Sequence, residues 1–483
     1  MNLPELGVGL NWFPGLEHVL QVNAGLIDVI EIEPQMFSRK NPGKTFTLDE
    51  TSLAGLGQWP YPKVVHGVGT PFGGTVAPTK GDLDLLRAVV DQVDAPWVSE
   101  HLNFNRVADG AGTWHTGFLL PPRQTLAGVE VAISSIRSMR ARMPVPVAIE
   151  TGANYLRPRA DEVPDGEFVG RVAEGADCGI LLDLHNVWTN GRNGRQSIGD
   201  YIEQLPLERV WEVHLAGGYS QHGYWLDAHS GAIPSELLEL AGRIVPRLPN
   251  VKAIIFELLP YSSLRIDESM YRAQLEALHR LWDRRNTLRI TERPVRSEPA
   301  VPDPAPSPSE WEYTLASVSV RKTCETVLAQ ELQGDPGLGV IRQMIERLRG
   351  SMVVRALRLS SRLIMLERGT GYLEELLVSF WKTHPPQPFA LDEAEAFASF
   401  LRECKPYVPF LFEVLEYDRA VIAVAQDGEE RSIPFGADPL PLLGALGAGR
   451  RPTQVATGNF EVRLTPDQLG EDARALAGMQ VIH

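Results

Sequence analysis

Short apolar runs alternate with amphipathic stretches along the first part of the chain. The runs are GVGLNW (7–12), DVIEIEP (28–34), KVVHGVG (63–69), PWVSEHL (96–102), VPVAIET (145–151), CGILLDLHN (178–186), RVWEVHLAG (209–217) and VKAIIFELLP (251–260). Near-continuous apolar strands separated by helical patterns are typical of a parallel sheet covered on both faces. Eight strands over roughly 290 residues predict a closed (β/α)8 barrel. An open doubly wound sheet is the alternative, but the first strand is not followed by the G-x-G-x-x-G turn of a dinucleotide fold.

The pattern changes after residue 290. Residues 297–310 read SEPAVPDPAPSPSE, and such a Pro-rich segment predicts an extended linker over 291–310. Residues 311–418 show helical periodicity, and 419–483 contain strand-like runs such as AVIAVAQDGEERSIPF, so we expect a helical domain followed by a small β-rich region. Because the spacer indicates few contacts between the parts it joins, a chain ending near residue 296 is expected to stay folded and bind metal, but to bind peptide poorly.

The composition of the chain limits the kinds of binding partner and the cellular compartment that we expect. The net charge of −15 disfavours nucleic acid and membrane surfaces, which need a basic footprint. The three cysteines are far apart, so neither a zinc ribbon nor a disulfide framework is predicted. The chain begins without a basic segment followed by a long apolar run, and it has no apolar stretch long enough to span a membrane. These features predict a protein of the reduced cytoplasm.

Ionisable side chains and one amide stand at the ends of several predicted strands or in the loop that follows one of them, where burial is expected. They are His66, Glu100, His101, Glu150, Asp183, His185, Asn186, Glu212, His214, Asp227, His229 and Glu257. The carboxyl ends of barrel strands meet at one mouth, and buried carboxylates or imidazoles are costly unless paired or bound to metal. Imidazole and carboxylate without thiolate suit iron, zinc or manganese. The set is too large for one ion, so two or three metals are predicted.

Strand alternation separates some of these candidates. Glu100 and His101 point to opposite faces, which favours a structural role for Glu100, whereas Glu212 and His214 share a face, so Glu212 could orient His214. Alternation also places His185 beside Asp183, but the strand is expected to give way to a loop there, so His185 and Asn186 both remain possible ligands. His115, in a predicted Gly-rich loop, is a candidate substrate contact.

The motifs HGVG (66–69), SEH (99–101), LLDLHN (181–186), EVHLAG (212–217) and DAHSG (227–231), with the strand ending in Glu257, resemble those of the multinuclear non-haem iron-dependent oxidative enzymes. That family, which includes the iron subunit of methanobactin biosynthesis, belongs to the xylose-isomerase-like barrels. The resemblance implies that Glu150 bridges two metals, with His66 and His101 on one metal and Asp183, His214 and Glu257 on the other. It implies a third site of Asn186, Asp227 and His229. Two departures from the usual pattern are IET at Glu150 and the imidazole of His185.

The resemblance further implies O2-dependent oxidation of a ribosomally synthesised precursor peptide at cysteine. The cofactor would be two or three irons of mixed Fe(II)/Fe(III) state, with O2 as co-substrate, and the ligands of the bridged pair would be the catalytic residues. The segments LEELLVSFWKTHPP and KPYVPFLFEVLEYDRAV look like the partner proteins that help such enzymes recognise peptides, so a fused partner function is expected. The alternatives are a divalent-metal sugar isomerase or epimerase, a three-metal phosphodiesterase, and a peptide-binding scaffold.

Overall fold

The computed structural model describes residues 3–40, 46–110, 112–260, 266–288, 296 and 306–469. The predicted (β/α)8 barrel is confirmed, because eight parallel strands close into one sheet. Each strand falls within one of the eight apolar runs. The strands are β1 Gly7–Trp12, β2 Val29–Ile32, β3 Lys63–Gly67, β4 Val98–His101, β5 Val147–Glu150, β6 Gly179–Asp183, β7 Val210–Leu215 and β8 Ala253–Phe256. Neighbours in sequence are neighbours in the sheet, and β8 pairs with β1 to close the barrel.

Helices cover the outside of the barrel. They are α1 Glu17–Val22, α2 Glu50–Gly55, α3 Lys80–Val93, α4 Leu126–Arg140, α5 Asp165–Ala176, α6 Leu184–Arg192, α7 Ile198–Glu203, α8 Ser235–Ile244 and α9 Glu268–Trp282. In α3 the side chains of Thr79 and Asp82 form a capping box at the start, and the buried Leu83, Leu86 and Val90 follow at helical spacing. The helix ends at Asp94, which adopts a left-handed conformation.

Among the described residues of the barrel, three antiparallel hairpins interrupt the alternation of strands and helices. Ser38–Lys40 pairs with Phe46–Leu48, Phe104–Asp109 with Gly112–Leu120, and Tyr219–Gln221 with Tyr224–Leu226. Each hairpin follows the C-terminal end of a barrel strand, β2, β4 or β7. Since active sites of this fold lie at that mouth, the hairpins are placed to shape its entrance.

Over residues 306–469, the C-terminal part is helical with one small sheet, as predicted. Its helices are α10 Pro308–Ser319, α11 Val327–Gln333, α12 Pro336–Ala356, α13 Arg358–Arg368, α14 Thr370–Thr383, α15 Ala390–Cys404, α16 Leu411–Asp427 and α17 Pro439–Gly447. The strands Arg431–Ala437 and Thr457–Leu464 form the sheet. The strand expected from Ala420 begins only at Arg431, because 420–427 complete α16 up to its left-handed Gly428 cap. In the part of the chain described, every helix is too short or too polar to cross a bilayer.

The expectation of few contacts between the two parts is wrong. A single apolar cluster combines barrel residues such as Phe104, Leu120 and Tyr155 with Trp311 and Ile341 of the C-terminal helices. The first half of α12 lies in this cluster, whereas its end packs in a separate C-terminal core. A Pro-rich sequence shows that a linker cannot pack, but it does not show what the segments on either side contact. The predicted linker over 291–310 lies largely outside the described residues, and the domain boundaries stay predictions.

Trp311 anchors the C-terminal helices to the barrel. Its indole Nε1 donates to the Pro121 carbonyl at 3.0 Å, and its ring lies 4.6 Å from the Arg123 guanidinium. Because the side chain is fully buried, Trp311→Ala should lower the free energy of unfolding by about 3–5 kcal/mol. Urea titration measures this, with Val327→Ala, which is 74% exposed, as a control expected to change stability by less than about 0.5 kcal/mol. Equal effects of the two variants would contradict the shared core.

Candidate metal centre

The first group of ligand-type side chains lies where β3, β4 and β5 end. Glu150 Oε2 is 3.2 Å from His66 Nε2 and 2.9 Å from His101 Nδ1. The β4–β5 register places His101 opposite Glu150, so both side chains reach the same end of the barrel. Ser99 Oγ lies 2.9 Å from His66 Nδ1, which leaves Nε2 facing Glu150. Three residues expected to share a metal site are therefore adjacent.

The second group adjoins the first at Glu150. It comprises Glu150, Asp183, His214 and Glu257, whose ligand atoms lie within 4.8 Å of one another. The β6–β7 register pairs Asp183 with His214, and His214 Nδ1 is 2.9 Å from Glu257 Oε2 and 3.9 Å from Glu150 Oε1. Glu150 thus presents Oε2 to the first group and Oε1 to the second, which is the arrangement that a bridging carboxylate requires.

The third group comes from the loop after the Tyr219–Leu226 hairpin. His229 Nε2 is 2.8 Å from Asp227 Oδ1 and 3.8 Å from Asp183 Oδ2. His229 Nδ1 is 3.2 Å from Glu257 Oε1. Glu257 therefore links the second and third groups as Glu150 links the first and second. His229 has a φ of 38°, which non-glycine residues adopt uncommonly and mostly at turns or constrained sites.

Several polar atoms of these groups are buried without a hydrogen-bond partner among the described residues. They are His101 Nδ1, Glu150 Oε2, Asp183 Oδ2, Asn186 Oδ1 and His229 Nε2. Two ligands held about 2.1 Å from one metal at a right angle are about 3 Å apart. The 2.9 Å approach of His101 Nδ1 to Glu150 Oε2, without hydrogen-bond geometry, matches that spacing. The residues present therefore fit metal ions, which would satisfy atoms that are otherwise costly to bury.

Asn186 and His185 lie in a helix, not in the loop expected from the sequence. Asp183 caps α6, and its Oδ1 accepts a hydrogen bond from the Asn186 backbone N–H at 2.8 Å. Strand alternation therefore stops at Asp183, and the first helical turn brings the third residue after the cap back toward it. The Asn186 side chain donates through Nδ2 to the Thr151 carbonyl, while its buried Oδ1 stays without a partner.

His185, in contrast, has both ring nitrogens engaged. Trp225 Nε1, which can only donate, lies 3.1 Å from His185 Nε2. The ring proton must then be on Nδ1, which is 3.0 Å from Asp227 Oδ1. Although His185, Asp227 and His229 lie within ligand spacing, we infer that His185 orients the Asp227 carboxylate by donating to it, as metal-binding carboxylates are commonly oriented. Asn186 Oδ1 remains the available ligand atom.

This arrangement predicts different consequences for two neighbouring substitutions. If Asn186 Oδ1 is the ligand, Asn186→Ala should leave the third site largely empty at stoichiometric iron, with the Glu150-linked pair retained. His185→Ala removes only an orienting hydrogen bond, so we expect an affinity loss of about tenfold at that site. Iron titration of the metal-free protein, followed by chelator competition, measures both. If His185→Ala empties the third site and Asn186→Ala does not, His185 is the ligand.

The charges of the groups are strongly coupled. Burial alone would lower the pKa of His66, but the neighbouring Glu150 raises that pKa to about 10. Burial would raise the pKa of Glu150, but His101 and His66 hold it well below its usual range. Asp183 is different: burial, reinforced by Glu150, raises its pKa well above the usual range. A cation next to Asp183 would reverse that effect, because an opposite charge favours the ionised form.

Two buried carboxylates near the ligand groups were not among the candidates predicted from the sequence. Glu31 on β2 and Glu33 directly after it are both buried, and Glu33 Oε2 has no hydrogen-bond partner. Burial raises the pKa of Glu33 to about 8. The sequence EIE indicated them, because residues i and i+2 of a strand point to the same face. Two carboxylates on one face of a buried strand are not expected unless they have a role.

The structural role predicted for Glu100 is confirmed, because its Oε2 accepts hydrogen bonds from the Thr70 backbone N–H and hydroxyl.

A cavity of about 430 Å³ lies between the barrel mouth and the C-terminal part. Barrel residues Val68 and Gly69, which follow His66 closely, line it together with Trp114, His115 and the 385–389 loop. His115 is thus at a position open to a ligand, although it lies in the strand Gly112–Leu120 and not in the loop expected.

The 385–389 loop is fixed by a buried ion pair. Arg349 Nε donates to Glu393 Oε1 at 2.6 Å, Arg349 Nη2 donates to the His384 carbonyl at 2.9 Å, and the Gln387 backbone N–H donates to Glu393 Oε2 at 2.9 Å. These bonds hold both sides of the loop on the C-terminal core, so the C-terminal part supplies a preformed wall of the cavity.

Comparison with known proteins identifies relatives of the barrel. The family model for the RiPP precursor modification enzyme MbnB/TglH/ChrH, where RiPP denotes a ribosomally synthesised and modified peptide, matches residues 5–258. A UPF0276 protein of Streptomyces avermitilis is 30% identical over 250 residues, which span 51% of this chain and 50% of that protein. A UPF0276 protein of Anaeromyxobacter sp. is 31% identical over 219 residues, which span 45% of this chain and 76% of that protein. The match thus spans only half the length of the Streptomyces relative.

Solved structures show weaker similarity. A xylose isomerase domain containing protein of Salmonella typhimurium has 16% identity and a TM-score of 0.39, with 58% of this chain and 98% of that chain covered. D-Psicose 3-epimerase of Clostridium cellulolyticum has 13% identity and a TM-score of 0.35, with 58% and 97% covered. Similarity at this level carries no information on function.

Proposed function

The chain belongs to the MbnB/TglH/ChrH family of RiPP precursor modification enzymes, and we propose that it uses iron and O2 to oxidise a cysteine side chain of a ribosomally synthesised peptide. The observation that carries this proposal is the continuous set of three ligand groups, which share Glu150 and Glu257. A site for several neighbouring redox metals suits a multi-electron oxidation better than a single-ion site does.

We assign the ligands as the sequence resemblance implied. His66, His101 and Glu150 would hold one ion, and Glu150, Asp183, His214 and Glu257 a second. Asn186, Asp227 and His229 would hold a third, with His185 orienting Asp227. When bound, iron would supply the positive charge that lowers the pKa of a substrate thiol and the electrons that reduce O2.

The protein's own contribution is to fix, shield and orient. The ligands stand at the ends of rigid strands, and most of their side chains are buried, so water has little access to the reacting centre. The hydrogen bonds between His66 Nδ1 and Ser99 Oγ and between His185 and Asp227 fix ring and carboxylate orientations. Such support holds the ligands in place before substrate arrives.

We propose that the peptide enters through the cavity beside the 385–389 loop, which gives the C-terminal part its role in recognition. The lining combines apolar surface from Val68, Trp114 and Phe389 with the amides of Asn105 and Gln387. Such a mixture can hold apolar side chains and hydrogen-bond to an extended backbone. The charged pair in the lining, Asp82 with Arg106, is self-compensated at 2.6 Å, which favours an uncharged segment of peptide.

The experiment combines iron-loaded full-length protein with a short Cys-containing peptide encoded beside its gene. Mass spectrometry should show a mass change that requires both iron and O2 and disappears when the peptide's cysteines are replaced by serine. An unchanged mass with iron and O2 present, but turnover of a sugar or cleavage of an abasic DNA strand with another divalent metal, would favour the isomerase or phosphodiesterase alternative.

A further inference from the structure

Glu31 occupies a position that the ligand assignment leaves unused. It lies in the middle of β2 with its side chain inside the barrel and only 1% exposed. Val29, two residues earlier on the same face of β2, belongs to an apolar cluster with Val64 and Trp97. A carboxylate at this depth is costly unless it has a specific partner.

The partner is the far side of the His214 imidazole. His214 Nδ1 faces the second metal group, 2.9 Å from Glu257 Oε2, whereas His214 Nε2 lies 2.9 Å from Glu31 Oε2. If Nε2 carries the ring proton and donates it to Glu31, Nδ1 presents its lone pair to the metal group. The opposite tautomer would place the proton where the metal must bind.

Glu212, the residue that strand alternation suggests for this role, is placed less favourably. Its Oε1 is 3.8 Å from His214 Nε2, beyond hydrogen-bond distance. Its Oε2 accepts the indole hydrogen of the buried Trp97 at 2.8 Å. Glu212 is thus held by its hydrogen bond from Trp97. The direct contact to His214 Nε2 comes from Glu31, on a different strand.

We propose that Glu31 is a positioning residue of the second metal site, which fixes the tautomer and ring orientation of His214 by accepting its Nε2 hydrogen. The inference rests on the metal centre of the proposed function. Orienting partners of histidine ligands contribute about 10–100-fold to metal affinity. The effect should be confined to the site that His214 serves, since the first group has its own orienting contact at Ser99.

Fe²⁺ titration of the full-length metal-free protein under anaerobic conditions tests this, with chelator competition to resolve the sites. Glu31→Ala should weaken one site about 10–100-fold and leave the others within about threefold. Glu31→Gln keeps an oxygen that can accept the same hydrogen and should restore most of that affinity. Glu212→Gln is the matched control, a buried carboxylate on the same side of His214, and should bind iron like the wild type.

A merely structural role for Glu31 predicts different results. It would lower the melting temperature of the metal-free protein and weaken all sites together, and that outcome would overturn the proposal. Equal losses in Glu31→Ala and Glu31→Gln would do so too, because charge and not the hydrogen bond would then matter. If the wild type binds Zn²⁺ or Mn²⁺ but not Fe²⁺, the proposed function fails, and the same titration with that metal still tests Glu31.

Discussion

Glu150→Gln is expected to lose iron from the first two sites and all turnover. The carboxylate is the point at which both groups meet, with Oε2 within 3.2 Å of His66 and His101 and Oε1 3.9 Å from His214. The amide keeps the shape but offers one oxygen instead of two and no charge. Because orienting partners alone contribute up to about 100-fold to metal affinity, loss of a shared ligand should cost more than about 100-fold. Iron analysis and peptide turnover measure the result.

Glu312→Gln is the matched control for that variant. Glu312 is a buried carboxylate on α10 that binds the Thr75 backbone N–H at 2.9 Å, away from the ligand groups. Burial raises the pKa of Glu312 to about 7, so the neutral amide resembles a form that the wild type already populates. This variant should keep its iron and activity. Full iron content and turnover in Glu150→Gln would show that Glu150 is not the bridge.

Iron affinity is expected to rise steeply with pH. In the metal-free protein Glu150 raises the pKa of His66 to about 10, despite burial, and the pKa values of His214 and His229 are also raised by neighbouring carboxylates. These imidazoles therefore carry protons at neutral pH, and each must lose one to bind metal. Below the raised pKa, each proton released makes the apparent affinity about tenfold higher per pH unit. One such proton at each site would give a change of about 100-fold in the affinity of that site between pH 6 and pH 8.

Chelator competition at several pH values measures this slope, and calorimetry in buffers of different ionisation enthalpy counts the protons. The slope should flatten only as the pH approaches 10, where His66 loses its proton without metal. Affinity independent of pH from 6 to 8 would mean that the imidazoles are already neutral. The proton that Glu150 stabilises on His66 would then not compete with binding of the metal.

The barrel was predictable because its signal is local. Each of the eight apolar runs contains a barrel strand, and the ionisable groups at their ends were visible as exceptions to apolar patterning. The packing of the C-terminal part against the barrel was not predictable. The apolar face of α10, with Trp311 and Leu315, shows that the helix packs on another surface, but the sequence does not indicate which one. That choice depends on the shapes of the hairpin Phe104–Leu120 and of the loop at Tyr155, which only the folded chain brings together.

Within the site, the sequence pointed to residues that the structure brings together, but not to the contacts that orient them. Strand ends and D-x-H spacing brought out the histidines, but Glu31 contacts His214 across the barrel, from a strand 183 positions away in the chain. Likewise, the choice between His185 and Asn186 depends on Trp225, whose indole hydrogen decides the His185 tautomer. Contacts of this kind join separate strands and loops, so no local pattern records them.

The metal content of full-length protein, purified without O2 from iron-replete cells, tests the central claim most directly. Elemental analysis, with Mössbauer spectroscopy of protein grown on ⁵⁷Fe, counts the metals and reports their oxidation states. The ligand groups predict two or three irons per chain, with a spin-coupled pair that Glu150→Gln abolishes. A single iron per chain, or zinc or manganese in place of iron under these conditions, would contradict a multinuclear iron centre.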